Sequence, residues 1–361
     1  MNLILAGIIS FTLIFVFTPF SRILGLKLKI IDIPNKRKIH NQKIIRAGGI
    51  AIFLSFISTL SICYFFLLDK SNVIIHLSII QSLLIGSTLF FILGFLDDLL
   101  NITAYFRLAI QIIISSWVWS KGFQLNLSDI FSIFKNNFEF FNYPFISFIL
   151  TIIWITGFTN AINWIDGMDG ILTIFVTIVS LTLLKISLNL GNNIESIILT
   201  SFIGISLGFL FKNTGKNKIF MGDSGSYFIG FILSTIGILS LSKPTIFNNN
   251  FYISELNFFI PLIMFSIPLL DMVRVIFTRL IIGLSPFYSD KRHFHHILLK
   301  MNFEWIEIII LFTGLTQFTS LLSLLISNQI DINIFFVSLG ILIFTFKLAL
   351  YLKKQRIKKL V

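Results

Sequence analysis

Apolar residues in this chain run in unbroken stretches rather than alternating with polar ones, and the charged residues collect in short segments between those stretches. Runs of about 17 to 25 residues, enough to cross a bilayer as a helix, lie near 2–21, 47–68, 73–96, 105–121, 144–161, 170–190, 196–211, 225–242, 256–278, 305–327 and 332–350. The pattern predicts an all-α polytopic membrane protein of about eleven transmembrane helices, with 1–361 as a single integral membrane domain. With the N-terminus outside, the inner segments are 22–46, 97–107, 160–170, 212–224, 274–303 and 351–361. These hold 22 of the 28 Lys and Arg residues, so the positive-inside rule selects this orientation and a cytoplasmic C-terminus.

Composition agrees. A chain with 56% hydrophobic and 12% charged residues and a mean hydropathy of +0.93 cannot hide its apolar surface as a soluble domain. The net charge of +12 raises nucleic acid as a partner, but the basic residues are spread along membrane-flanking loops facing anionic lipid. Membrane lipid is therefore the expected partner, and nucleic acid is not. Cys63 stands alone within a span, which excludes a disulfide framework or a thiolate metal site. The first span lacks a charged segment before it and a small-residue cleavage site after it, so it is expected to be a retained helix. The 43 Phe residues reflect a compositional bias and carry no functional weight. Gly204 and Gly208 have the spacing that lets two helices approach closely.

The remaining polar residues form five clusters that the topology brings to one membrane face. Asp97-Asp98 end an apolar span, where a mid-bilayer carboxylate would cost about 2.5–3.5 kcal/mol and a helix C-terminus disfavours negative charge. Such a misplaced pair points to function, with one carboxylate facing a reacting group while the other orients a neighbour. In the segment from Asn160 to Gly170, Asn160, Asn163, Asp166 and Asp169 recur every three residues, which a helical turn or tight loop would gather on one side. Clustered hard oxygens without Cys favour magnesium or manganese, and the spacing excludes an EF-hand. Gly222-Asp-Ser-Gly-Ser226 opens the next span after the Lys212–Lys218 loop, so free N–H groups could seat a phosphate. Asp223 would repel that phosphate unless a metal bridged the two.

Two basic clusters complete the face. Asp290-Lys-Arg-His293-Phe-His295-His296 sets imidazoles beside fixed cations, which suits anion recognition better than zinc. Arg37, Lys38, His40 and Arg46 are divided between substrate contact and plain flanking charge. Asp271 and Arg274, at i and i+3, read equally as an intramembrane ion pair or as support for the site. A serine protease could be built on Gly222-x-Ser224-Gly, but it needs a histidine in a neighbouring span. A cation or proton transporter is the rival of another class, yet transporters place such carboxylates at the midplane of paired halves, a pattern not found here.

These motifs, in this order over residues 32–300, resemble the polyprenyl-phosphate N-acetylhexosamine-1-phosphate transferases. The resemblance implies that Asp97 and Asp98 are required for catalysis, that Asn163 to Gly170 supplies catalytic (Asp166) and nucleotide (Asp169) contacts, and that Asp223, with Asn163, ligates Mg2+, Mn2+ being the alternative. It implies that His293, His295 and His296 help bind the sugar nucleotide, and it matches Arg107 to a basic position that follows the aspartate pair in many members. Ser285-Pro-Phe and the His-Phe-His-His run resemble the branch using UDP-N-acetylglucosamine rather than the phospho-MurNAc-pentapeptide branch. The first motif departs from the family pattern at Lys43 and Ile45, where prolines are common. The implied reaction moves a sugar-1-phosphate from a UDP-N-acetylhexosamine to undecaprenyl phosphate and releases UMP, at the cytoplasmic face of a bacterial inner membrane. Oligomeric state is not legible.

Overall fold

The computed structural model describes residues 2–34, 42–66, 77–125, 143–215, 217–241, 259–288, 290–327 and 329–360; Arg37, Lys38 and His40 lie outside them. The described chain is almost entirely helical: α1 (Asn2–Lys27), α2 (Gly48–Phe66), α3 (Leu77–Leu100), α4 (Ala104–Ser120), α5 (Pro144–Ile165), α6 (Ile171–Asn189), α7 (Asn193–Thr214), α8 (Gly222–Leu241), α9 (Phe259–Met264), α10 (Ser266–Ile281), α11 (Phe294–Lys300), α12 (Trp305–Ile326) and α13 (Ile332–Leu360). Among the described residues nine helices are long and apolar enough to cross a membrane: α1, α2, α3, α5, α6, α7, α8, α12 and α13.

The two other expected spans take a different form. The 105–121 stretch is α4, at 17 residues a short helix. The 256–278 stretch is divided at Phe265 between α9 and α10, with Pro268 in the first turn of α10. Proline has no N–H to continue a helical ladder but is tolerated in a first turn, so the break falls where the sequence permits it.

Helix α8 is the axis of the molecule. It is enclosed by α2, α3 and α5 and touches α6, and nearly all of its side chains are buried. Phe90 stacks on Phe231 with centroids 4.7 Å apart, Phe53 on Phe91 at 4.1 Å, and Phe56 meets Phe228 edge-on at 5.3 Å. These phenylalanines thus serve as packing. Around the start of α8 the approach is closer than any side chain allows: a Cβ on Gly49 would lie 2.2 Å from the Gly225 nitrogen, and one on Gly94 2.3 Å from the Asp223 carbonyl. Gly204 and Gly208 do the same for α7 against α1, where added Cβ atoms would sit 2.2 Å from the Gly7 carbonyl and from Ile14.

A two-stranded antiparallel ribbon, β1 (Ile31–Asp32) and β2 (Ile44–Ile45), pairs Ile31 with Ile45 and Asp32 with Ile44. The segment before α8 lies alongside it. Phe220 N–H donates to the Ile45 carbonyl (2.8 Å), and the N–H groups of Gly48 and Gly49 donate to the carbonyls of Phe220 (2.8 Å) and Met221 (2.7 Å). These bonds fix Arg46, the residue after β2, beside the first turn of α8.

Candidate active site

Asp97 and Asp98 occupy the last turn of α3 and point in different directions, as neighbours on a helix must. Asp98 turns inward. Its Oδ1 accepts the N–H of Asp223 and its Oδ2 the N–H of Ser224, each at 2.9 Å, so it caps the N-terminus of α8 from another helix. The charge that looks misplaced at the C-terminus of α3 meets the positive end of a second helix. Asp97 instead faces an open cavity, where its Oδ2 accepts from Arg107 Nη1 at 2.5 Å and its Oδ1 from the Ile102 N–H at 2.9 Å.

Asp223, in the first turn of α8, is the meeting point of the acidic cluster. Its Oδ1 accepts from Asn163 Nδ2 (2.7 Å) and from Arg46 Nη2 (2.6 Å), while Asn163 also donates to Ser226 Oγ (2.8 Å). Arg46 Nε reaches Asp98 Oδ1 at 3.3 Å. Burial disfavours the Arg46 charge, yet Asp223, Asp98, Asp32 and Asp166 together hold its pKa above the ordinary guanidinium value. Asp97 and Asp223 lie close enough for their charges to act on one another.

Asp166 follows the last residue of α5, and Asp169 lies in the tight turn before α6. Burial pushes the Asp166 carboxyl well above the usual carboxylate range; Arg46 opposes this, and the charges of Asp223, Asp169 and Asp98 add to it. Asp169 forms an ion pair with Lys218, and its carbonyl accepts from the Trp305 indole at 2.9 Å. Asn213 fixes the same turn by accepting the Gly170 N–H at 2.6 Å. Asn160 also lines the cavity, donating to Gln111 Oε1 at 2.7 Å.

The histidines approach from the opposite wall. His293 Nδ1 lies 2.8 Å from Asp271 Oδ2, and Asp271 Oδ1 accepts from Arg274 (2.8 Å) and the Phe294 N–H (2.8 Å). Asp271 thus pairs with Arg274 and also holds His293. His295 is buried, with its Nε2 lacking a hydrogen-bond partner, and packs on the backbone of Gly167, where a Cβ would come within 2.4 Å of the ring. Burial, reinforced by His296 and His293, lowers its pKa to about 3, so the ring is neutral at physiological pH. His296 joins it at the cavity wall.

Beneath this wall Arg279 is buried against Trp164, its Cζ 5.1 Å from the ring centroid, and it holds Asp290 with Nη2 at 3.1 Å and Nε at 3.3 Å. Burial alone would raise the Asp290 pKa, but the hydrogen bond and charge of Arg279, with help from Arg292, leave it below the ordinary value.

One cavity of about 870 Å³ is lined by Arg46, Asp97, Arg107, Asn163, Asp166, Asp169, Asp223, His293, His295 and His296. Asp98 is the exception among the described candidates, being spent on α8. Lys218, Arg279, Tyr288 and Trp305 also line it. Of these, Arg279 gave no sequence signal beyond being basic near the end of a span, and Lys218 was legible only as part of a lysine-rich loop. Ser224 Oγ is buried with no hydrogen-bond partner and lies off the cavity wall, which is no setting for a nucleophile. Among the described residues no three His, Cys, Asp or Glu side chains form a ready-made metal site.

Residues 80–241 match the model of glycosyl transferase family 4. The chain is 31% identical over 302 residues to an undecaprenyl-phosphate alpha-N-acetylglucosaminyl 1-phosphate transferase of Pasteurella multocida, covering 82% of this chain and 79% of that one. It is 29% identical to proteins of the same name from Escherichia coli K12, over 315 residues, and Salmonella typhi, over 314; both alignments cover 86% of this chain and 79% of the relative. The family model ends before the histidines, whereas these alignments extend over far more of the chain.

Proposed function

Because the chain belongs to glycosyl transferase family 4, we propose that it transfers N-acetylglucosamine-1-phosphate from UDP-N-acetylglucosamine to undecaprenyl phosphate, releasing UMP, at the cytoplasmic face of the bacterial inner membrane. The observation that carries this reading is the single cavity joining acidic, basic and imidazole groups at one end of a bundle of apolar helices. Its volume of about 870 Å³ suits a nucleotide sugar. A lipid-borne acceptor suits a site at the ends of apolar helices: the prenyl chain would stay in lipid while its phosphate enters.

A hard divalent cation, Mg2+ or Mn2+, fits this donor set. The Asp97 and Asp223 carboxylates are close enough to repel, and among the described residues no hydrogen bond ties the Asp166 carboxyl, so a cation would relieve the cluster. Asp223 would be the principal ligand; Asn163 now presents its N–H to Asp223 and would join through Oδ1 after its amide rotates. Bound there, the ion supplies charge screening for the donor diphosphate and for the departing UMP.

The protein's own groups do the rest. Asp97, facing the cavity, orients the acceptor phosphate, one of whose oxygens attacks the sugar-bearing phosphorus as the bond to the UMP oxygen breaks. Arg46 and Arg107 share the negative charge of the reacting phosphates. His293, held by Asp271 through Nδ1, presents Nε2 to the sugar and its phosphate, and neutral His295 shapes the wall beside it. Asp98 keeps the first turn of α8, and hence Asp223, in place.

The test is the purified protein with undecaprenyl phosphate, Mg2+ and a panel of UDP-sugars, scored for UMP. Release with UDP-N-acetylglucosamine that depends on the lipid is expected; no release from any UDP-sugar would overturn the reading. Exchange of labelled UMP into the UDP-sugar without lipid would indicate a phospho-aspartate route in place of direct attack.

A further inference from the structure

We infer that Arg46 is the resident counter-cation of the acidic cluster, holding the Asp223 oxygen that a divalent ion would take and yielding it when donor and metal arrive together. This rests on the transferase reading above, in which Asp223 is the principal metal ligand.

Three features of the geometry support it. Asp223 Oδ1 already receives Arg46 Nη2 at 2.6 Å and Asn163 Nδ2 at 2.7 Å, so that oxygen is fully engaged. A cation entering there must displace one of them, and only the guanidinium opposes it by charge. Arg46 also has a second anchor that survives the exchange: its Nε lies 3.3 Å from Asp98 Oδ1, and Asp98 is fixed by the N–H groups of Asp223 and Ser224. The Arg46 backbone is pinned as well, its N–H donating to the Ile30 carbonyl at 3.0 Å. Only the outer end of the guanidinium has to move, and it moves along a cavity that it already lines.

A guanidinium keeps its proton at any physiological pH, so the exchange is cation for cation. The displaced Nη2 donors then need an anion, and a diphosphate in the same cavity supplies one. Metal and nucleotide should therefore bind cooperatively, with Arg46 resisting the metal when it comes alone. A residue that merely supported the fold would have the opposite signature, since removing it would weaken metal binding.

The experiment measures Mn2+ binding by the electron paramagnetic resonance signal of free Mn2+, on the full chain in lipid nanodiscs, with and without UDP. Without nucleotide, Arg46→Gln is expected to bind Mn2+ on the order of tenfold more tightly than the unsubstituted protein, with a smaller further gain on adding UDP. Arg46→Lys, whose ammonium cannot bridge Asp98 and Asp223, shifts in the same direction by less, and decides the matter alone if the glutamine variant does not fold. Equal or weaker binding by these variants overturns the inference. Asp223→Asn separates the two claims: lost binding upholds the metal reading whichever way the Arg46 variants fall, and unchanged binding sinks that reading and this inference with it.

Discussion

Replacing Asp98 by Asn should damage the fold more than the chemistry, although the sequence does not say which of Asp97 and Asp98 faces the reacting group. The carboxylate accepts two α8 N–H groups at 2.9 Å, one on each oxygen, and is almost fully buried. An amide of the same shape keeps one acceptor and turns an N–H donor toward the other backbone N–H. The loss of one charge-assisted hydrogen bond is about 1.5–3 kcal/mol, and a charge at a partly buried helix terminus adds up to ~2 kcal/mol. The expected destabilisation is therefore about 3 kcal/mol. Asp97→Asn keeps the Ile102 N–H contact and leaves Arg107, about a third exposed, to solvent, while it also removes a buried carboxylate that the Asp223 charge opposes, so loss and relief offset to about 1 kcal/mol or less. Unfolding midpoints in micelles, measured with UMP release on the same samples, compare the two. Asp98→Asn should unfold much earlier, while Asp97→Asn should unfold near the unsubstituted protein but lose turnover. Equal unfolding midpoints with equal loss of turnover would refute the division of roles.

Gly167→Ala should push His295 out of its seat, because the new Cβ would lie 2.4 Å from the ring; overpacking of about 1–3 kcal/mol should appear as a raised KM for the UDP-sugar, and an unchanged KM would count against the placement. Arg279→Lys keeps the charge but loses the two-pronged grip on Asp290 and the stacking on Trp164, so donor binding should weaken by about 1–3 kcal/mol in a binding titration, with no rescue by salt. The depressed pKa of Asp290 gives a signed pH test. Its folded-state value lies below the unfolded one, so its stabilisation is complete above about pH 4 and is lost as pH falls through the folded value. The stability difference between the unsubstituted protein and Asp290→Asn should accordingly hold constant from neutral pH down to about 4 and shrink below it.

Hydropathy alone located most of the helices, because a bilayer demands long apolar runs and forbids unpaired backbone within it. It could not anticipate the break at Phe265, which depends on where Pro268 falls within the turn. The motif residues were legible through chemical incongruity, carboxylates and amides at the ends of apolar segments, and Asp97, Asn163, Asp166, Asp169 and Asp223 all reach the cavity. Asp98 shows the limit of such reasoning. Its charge is unfavourable to its own helix, and the dipole that compensates it begins 125 residues later in sequence, beyond any local pattern. Arg279 was hidden for a related reason: near the end of a span a basic residue looks like ordinary flanking charge, and only the folded chain sets it against Trp164 and Asp290. Gly167 likewise gains its meaning from His295, which arrives from another helix.

Everything proposed for the site depends on the acidic cluster and the histidine helix facing the same bound metal. The most direct test is paramagnetic broadening by Mn2+ in protein carrying isotope-labelled histidine and tryptophan. Signals of His293, His295 and Trp164 should broaden when Mn2+ and UDP are added and recover in Asp223→Asn. Signals that stay sharp while Mn2+ binds at Asp223 would place the two halves of the site apart and contradict the account.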